Sequence, residues 1–516
     1  MLPHRAETTL SPADAIMAMS PLTGRGCQAT VLACAAGYFL APPLAPLFLA
    51  GAAASVILRA SAVIRERRDD RDSKGILCIG RDTDTGRDIW LTSNELRQHL
   101  LALGESSFGK GEIFFGWAEN ALAWNSGFLF VDGKGDTQVY GRLASLARYH
   151  GRSGDLRCIN LMAPAPSSPD EVASSNTYNP FSRATAEEME GMLFDLADEH
   201  DPLRAARLRD MLSGLCGALV ALRDNHGIVP DARTIRDRLA FAGYLELADP
   251  VEYDIVGESV REKMLRHLRS LPGFDSPRGG RQPQAAVDAH AALAFPVERV
   301  LRLMCEDYAH IFLSPTPEVD VRETVALRHA LAVILPSLET APEYGAIGRL
   351  VVGDLRNVIA GLTATRLEGT WEEIVDASPN KAPTPFLVVL DDVHRYFCPS
   401  LAVVLTHARY VGIGLALGST DMAALEAGGH GTASRIASSV HSRMYLRQEE
   451  PPEPGSQGDP GERLHPALLR SLRAGHFILE RAGRRTSGSL GVAVYPDDPR
   501  RGYFRLPRNV GVGVLR

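Results

Sequence analysis

The first long run of the chain shows no hydrophobic period at all. From Cys27 to Leu58 (CQATVLACAAGYFLAPPLAPLFLAGAAASVIL) no residue is charged, and nearly every position is apolar or small. These thirty-two residues exceed the ~20 needed for one helical crossing of a bilayer but fall short of two full ones. Pro42, Pro43 and Pro46 break the run near its middle. The pattern predicts a membrane anchor over residues 1–66, either a hairpin or one tilted span; a buried helical pair in a soluble domain is the alternative. No small-residue cleavage site follows, which argues against a secretory signal. Arg59, Arg65, Arg67 and Arg68 outweigh Arg5 and Arg25 on the other flank, so the chain beyond residue 60 is expected on the cytoplasmic side.

Beyond Trp90, short apolar runs of strand length alternate with stretches of helical spacing. His99 to Leu103 reads as a strand and Gly111 to Ala123 as a helix without proline. Gly127 to Asp136 reads as a strand ending in an acidic, glycine-rich turn, and Leu156 to Leu161 as another strand. FLVVLDDVHRYF (Phe386 to Phe397) and Gly412 to Asp421 supply two more. Such alternation predicts an α/β fold with a parallel sheet covered on both faces. Between these strands, Ala186 to Asn225 carries apolar residues at three- and four-residue steps. Asp231 is then a fitting N-cap for a further helix, and helical spacing continues to about His310. Residues 186–318 are therefore expected to form an all-alpha domain inserted in the α/β unit, with extra helices of that unit itself as the alternative. Pro272 to Gln284 and Pro451 to Gly461 read as exposed loops.

Composition changes the picture in two places. With 516 residues, 45% hydrophobic and 23% charged, the chain is a foldable globular protein of more than one domain. The formal net charge of -7 gives no bulk attraction to DNA or anionic lipid. From Arg463 onward, however, the chain is locally basic, with eleven arginines; two strand-like runs there read as edge strands of the sheet, with a nucleic-acid or partner surface as the alternative. The seven cysteines are scattered without a C-x-x-C pair, which supports neither a metal site nor a disulfide framework.

Candidate chemistry sits at the strand ends. Gly104, four residues, Gly109 and Lys110 fit the G-x-x-x-x-G-K spacing of a phosphate-binding loop. The strand–loop–helix context is the one such a loop needs, because amides at a helix N-terminus face the anion. The position of the Mg²⁺-binding hydroxyl is Gly111, and the loop interior (Glu105, Ser106, Ser107, Phe108) contains no glycine. Asp391 and Asp392 end an apolar strand, as do the acids of P-loop ATPases that hold Mg²⁺ and polarise the attacking water. Residues 67–185 and 319–516 are thus expected to be two parts of one nucleotide-binding domain.

Three groups of segments carry a resemblance to a family. They are WLTSNELRQHLLALG with the loop after it; NSGFLFVDGKGD, GRSGDLRCINLM and SNTYNPF; and LEGTWEEIVDASPNKAPTPFLVVLDDVHRYF with HARYVGIGLALGSTD and SSVHSRMYLR. The chain resembles type IV secretion and conjugation coupling proteins, most closely the Dot/Icm-like branch, over most of residues 88–450. That resemblance implies a RecA/FtsK-like P-loop core at the bacterial inner membrane, using ATP and Mg²⁺. It further implies homo- or hetero-hexameric rings that pass effector proteins or nucleoprotein substrates, with DNA among them, to the secretion apparatus. Nucleotide contacts are implied at Gly104, Ser107, Gly109, Lys110, Gly111, Glu112, Asp132 and Lys134, catalysis at Asp391, Asp392 and Thr420, and Mg²⁺ at Asp391.

Four positions depart from the family pattern, which implies a hydroxyl where this chain has Gly111, a glycine near Ser107, a glutamate at Asp392 and a γ-phosphate-sensing glutamine near Thr420. Weak or absent hydrolysis is the expectation. Either a slow ATP-driven translocase or a pseudo-ATPase receptor and scaffold fits; an FtsK/HerA-like DNA pump is a third reading, which the net acidic chain does not favour. Arg409, Arg435 and Arg443 are candidates for an arginine finger. His394 and His407 lack metal-ligand spacing and read as ordinary polar residues.

Overall fold

The computed structural model describes residues 24–72, 75–105, 108–163, 165–166, 174–249, 256–275, 282–336, 342–363, 368–370, 384–427, 431–448, 466–481 and 484–490. The chain divides into two compact units, 1–74 and 75–516.

In the first unit, helix α1 (Gly24–Leu40) turns through a 3-10 segment at Pro42–Leu44 into helix α2 (Ala45–Asp72). Proline suits the start of that turn, where an N–H would have no partner. The helices run antiparallel: Gly37 lies under the Phe48 ring and Gly51 faces Cys34. The apolar run therefore forms a helical hairpin, not one continuous helix. Leu32, Phe39, Leu40, Leu47, Leu49 and Ile57 remain exposed on it. No described helix is long and apolar enough to cross a membrane. Helix α1 has 17 residues, ~25 Å at ~1.5 Å per residue, and α2 becomes charged from Arg59 onward.

Among its described residues the second unit is built on eleven strands: β1 (Gly75–Asp82), β2 (Asp88–Thr92), β3 (Leu100–Leu103), β4 (Phe128–Asp132), β5 (Leu156–Asn160), β6 (Ala330–Ile334), β7 (Phe386–Leu390), β8 (Ile413–Ser419), β9 (Ser442–Tyr445), β10 (His476–Arg481) and β11 (Arg484–Leu490). Their order is β2-β1-β11-β10-β9-β3-β8-β7-β4-β6-β5. From β9 to β5 all neighbours are parallel. Every residue of β3, β4, β6, β7 and β8 is buried, which is why these strands read as unbroken apolar runs. The other half is antiparallel. Strands β10 and β11, expected at an edge, lie inside the sheet because residues 75–92, unremarkable in the sequence, fold as a hairpin beyond them.

On one face, α3 (Ser93–Arg97), α4 (Lys110–Ala123) and α5 (Gln138–Tyr149) cover Leu100, Ala102, Phe128 and Phe130. The alternate residues Leu101, Leu103, Leu129 and Val131 join the core of the opposite face, as a two-residue period requires. That face carries a helical segment: α6 (Ala186–Ala197), α7 (Pro202–His226), α8 (Ala232–Leu239), α9 (Phe241–Ala248), α10 (Glu258–Arg269), α11 (Gln284–Glu306) and α12 (Ala309–Phe312). Asp231 caps α8, accepting from Thr234 N at 2.7 Å, and Thr185 with Glu188 forms a capping box on α6. Of the expected loop Pro272 to Gln284, residues 276–281 lie outside the described residues, as does all of Pro451 to Gly461. The chain returns to the sheet through α13 (Val321–Ala326) and α14 (Pro342–Leu362); α15 (Pro399–His407), α16 (Met422–Ala427), α17 (Thr432–Ser439) and α18 (Pro466–Ser471) complete the unit.

One buried acid, Asp195, lies where α6 packs on α14. Arg349 Nε donates to the Asp195 carbonyl at 2.9 Å, while Asp195 Oδ2 has no partner. Burial pushes the Asp195 carboxyl up to about 6, against the opposing pull of the Ser400 hydroxyl, Arg356 and Arg349. A folded-state pKa above the unfolded value means stability fully present below pH ~4 and lost as pH rises through about 6. Asp195→Asn is therefore expected to stabilise the chain by about 1–3 kcal/mol at pH 8 and to change little at pH 4. Urea denaturation at the two pH values measures the difference.

Candidate functional site

Strands β3, β8, β7 and β4 lie side by side and parallel, so the segments leaving their C-terminal ends converge. A crevice beyond such strand ends is where α/β sheets place ligands. After β3, Gly104 N donates to the Ser419 carbonyl at 3.1 Å. A side chain on Gly104 would press on Leu446, which explains glycine there. Ser106 and Ser107 lie outside the described residues. Gly109 adopts φ 104, ψ 6 as the N-cap of α4, a conformation that favours glycine.

Lys110, the first residue of α4, is completely buried. Its Nζ donates to Asp392 Oδ1 at 2.8 Å and lies 3.3 Å from Asp391 Oδ1. Lys134 Nζ reaches the other oxygen of Asp391 at 3.1 Å. Asp391 follows β7 immediately, held by its amide on the Val131 carbonyl and by Tyr396 Oη, which donates to the Asp391 carbonyl at 2.8 Å. Gly418 lets this carboxylate approach β8, since a methyl group there would collide with Asp391 Oδ1. Asp392 takes a left-handed backbone, φ 50 and ψ 45. Burial alone would raise its carboxyl, but Lys110 and Lys134 outweigh burial and hold it below the usual range.

The turn after β4 is organised by Asp132, whose oxygens accept from Lys134 N at 3.1 Å and Asp136 N at 2.7 Å. Burial raises this carboxyl to about 6 despite those amides. Beside the turn opens a cavity of about 560 Å³, lined among others by Gly109, Gly111, Glu112, Asp132, Lys134 and Asp391. Gly111 has open space where a side chain would project.

Of the residues expected to act together, Gly104, Gly109, Lys110, Gly111, Glu112, Asp132, Lys134, Asp391 and Asp392 are gathered at these strand ends. Thr420 directly follows β8, half-buried. Two contributors went unread in the sequence. Arg142 on α5 lines the cavity, pairs with Glu112 at 2.5 Å and lies 4.4 Å over the Phe115 ring; no spacing signals a contact between two helices. Ala474, Gly475 and Leu490 of the C-terminal hairpin also line it, with Gly475 N donating to the Phe108 carbonyl at 3.3 Å.

His394, read as an ordinary polar residue, stands beside Asp392. Ser419 Oγ donates to the Asp421 carbonyl at 3.2 Å and lies 3.3 Å from His394 Nδ1. Burial lowers the ring's pKa. Arg409 stacks on Tyr410 at 4.6 Å, Arg443 Nη2 donates to the Ala437 carbonyl at 2.8 Å, and Arg435 is exposed on α17; none lines the cavity. Among the described residues no three His, Cys, Asp or Glu are grouped to hold a metal on their own.

No protein-family profile matches the chain. It is 28% identical over 399 residues to the type 4 coupling protein DotL of Legionella pneumophila, a match covering 74% of this chain and 51% of that protein. The chain thus spans about half the length of this curated relative. The unbound conjugative coupling protein TrwB superposes with a TM-score of 0.54 at 14% identity, over 82% of this chain and 90% of TrwB. TrwB in complex with ADP and Mg²⁺ gives 0.52 at 15% identity, over 81% and 89%. The α/β core with its parallel sheet is a TrwB-like fold, and the chain resembles type IV coupling proteins.

Proposed function

We propose that the chain is a membrane-associated coupling subunit of a type IV secretion or conjugation system, in which a weakened nucleotide site binds Mg-nucleotide but turns it over slowly or not at all. The observation that carries this reading is the convergence of Lys110, Asp391, Asp392 and the Asp132–Asp136 turn at neighbouring parallel strand ends, on a chain similar to DotL over 399 residues.

The residues present fit a nucleotide's phosphates in part. A cavity of about 560 Å³ is of ligand size, and the N-terminal amides of α4 border it beside Lys134 and Arg142. Glu112, Asp132, Asp136 and Asp391 border it too, so a bare polyphosphate would meet repulsion. Mg²⁺, when bound, would neutralise phosphate charge and bring its own water in place of the hydroxyl missing at Gly111. Asp391 would hold that ion, and Lys134 would keep the Asp391 carboxylate oriented. Asp392, paired with Lys110, is poorly placed to orient an attacking water. This favours the pseudo-ATPase receptor over a fast motor.

The likeness to DotL, a type 4 coupling protein, supports the coupling role; effector or nucleoprotein substrates, a secretion apparatus as partner and a homo- or hetero-hexamer belong to the same proposal. Residues 186–318 are the proposed inserted domain, and the α1–α2 hairpin the anchor that holds residues 75–516 on the cytoplasmic face of the inner membrane. MgATP turnover by the full chain, beside Asp391→Ala and Gly111→Thr, tests the reading. We expect wild type to be indistinguishable from Asp391→Ala. Turnover that Asp391→Ala abolishes would install the slow-motor reading, and strong stimulation by DNA would favour an FtsK/HerA-like pump.

A further inference from the structure

We infer that Asp392 acts as a gating counter-ion that withholds Lys110 from phosphate, so that nucleotide binds only by displacing it. The inference rests on the nucleotide reading above and assigns Asp392 a positioning role different from the water-polarising one suggested by its place in the sequence.

Three observations carry it. Lys110 is fully buried and absent from the cavity lining, although its neighbours Gly109, Gly111 and Glu112 all line that cavity. The two carboxylates around it are not equivalent. Asp391 is shared between Lys110 at 3.3 Å and Lys134 at 3.1 Å, whereas Asp392 makes the shorter bond to Lys110, 2.8 Å. Lastly, Asp392 reaches Lys110 from a left-handed backbone, which a non-glycine residue adopts only when its surroundings hold it there. The charges of Lys110, Lys134, Asp391 and Asp392 thus balance within the cluster, with Asp132 and His394 beside it. A phosphate must break one of these bonds before it gains the lysine.

Asparagine tolerates the left-handed region and keeps the shape of aspartate, so Asp392→Asn removes charge while preserving the backbone. The experiment titrates the full chain with ATPγS and Mg²⁺ by calorimetry, with MgADP in parallel and Asp392→Ser as a second variant. Urea midpoints confirm that each variant is folded. Asp392→Asn is expected to bind ATPγS about tenfold more tightly than wild type, corresponding to release of one charge-assisted bond. MgADP should gain less, because the lysine of such loops reaches the terminal phosphates. Equal or weaker ATPγS binding by both folded variants overturns the gating role while leaving the nucleotide reading intact. Failure of wild type and variants alike to bind either nucleotide overturns both.

Discussion

Lys110→Ala is expected to cost the folded chain about 3–5 kcal/mol with no nucleotide present, because it strips the ion-pair partner from the buried Asp392 carboxylate and one of two partners from Asp391. In most phosphate-binding loops the lysine is judged by what it does to substrate. Here its side chain is wholly buried, and the side chains of Asp391 and Asp392 are only 5% and 11% exposed. Lys134 remains to one side of Asp391 and cannot also replace the 2.8 Å bond to Asp392. The pH dependence has a definite sign. Asp392 has its carboxyl held below the usual value by Lys110 and Lys134, in excess of the burial that would raise it. Its contribution is therefore present above the unfolded pKa of ~4 and is lost as pH falls through the folded value. The deficit of Lys110→Ala should be largest at neutral pH and should shrink below pH ~4, where the orphaned Asp392 carboxylate takes up a proton. Urea unfolding at pH 7 and pH 3.5 reads this directly. A loss under ~1 kcal/mol at pH 7 would mean the pair behaves like a solvated surface bridge and is no lock.

The same cluster shows where sequence reading succeeds and where it stops. Leu100 to Leu103, Phe128 to Asp132, Phe386 to Leu390 and Ile413 to Ser419 were legible because strands buried on both faces must be apolar at every position. The loop spacing from Gly104 to Lys110 was legible because backbone reach fixes it. What the sequence hid is pairing in space. Nothing in LDDVH says that Asp392 will turn left-handed onto Lys110, or that His394 will lie against Ser419. Gly111 reads as a loss of chemistry. The structure adds that the space for a side chain there remains open. The antiparallel half of the sheet was missed for another reason. Residues 75–92 carry exposed polar positions in β1 and β2, so they lack the unbroken apolar signature of the interior strands.

Deleting residues 1–74 is expected to move the chain from a carbonate-resistant membrane fraction to the soluble one, the largest effect any single change here should produce. Leu32, Phe39, Leu40, Leu47, Leu49 and Ile57 are each at least 59% exposed on the hairpin. At ~1.5–3 kcal/mol for burying such a side chain, six of them favour insertion by roughly 10 kcal/mol. Neither helix is long and apolar enough to cross a ~30 Å hydrocarbon core unaided, and the 3-10 turn at Pro42–Leu44 sends the chain back along its own path. The arrangement we expect is a re-entrant hairpin, with the segments carrying Arg25 and Arg59 to Arg68 on the same side of the membrane. That arrangement satisfies the preference of cationic flanks for the cytoplasm at both ends, whereas a single tilted span would leave the two flanks on opposite sides. Epitope tags placed before residue 24 and after residue 74 separate the two cases by protease access in sealed vesicles. Both tags should be cleaved or protected together. Cleavage of only one would establish a spanning anchor, and a full chain that stays soluble in carbonate would remove the membrane from the proposal altogether.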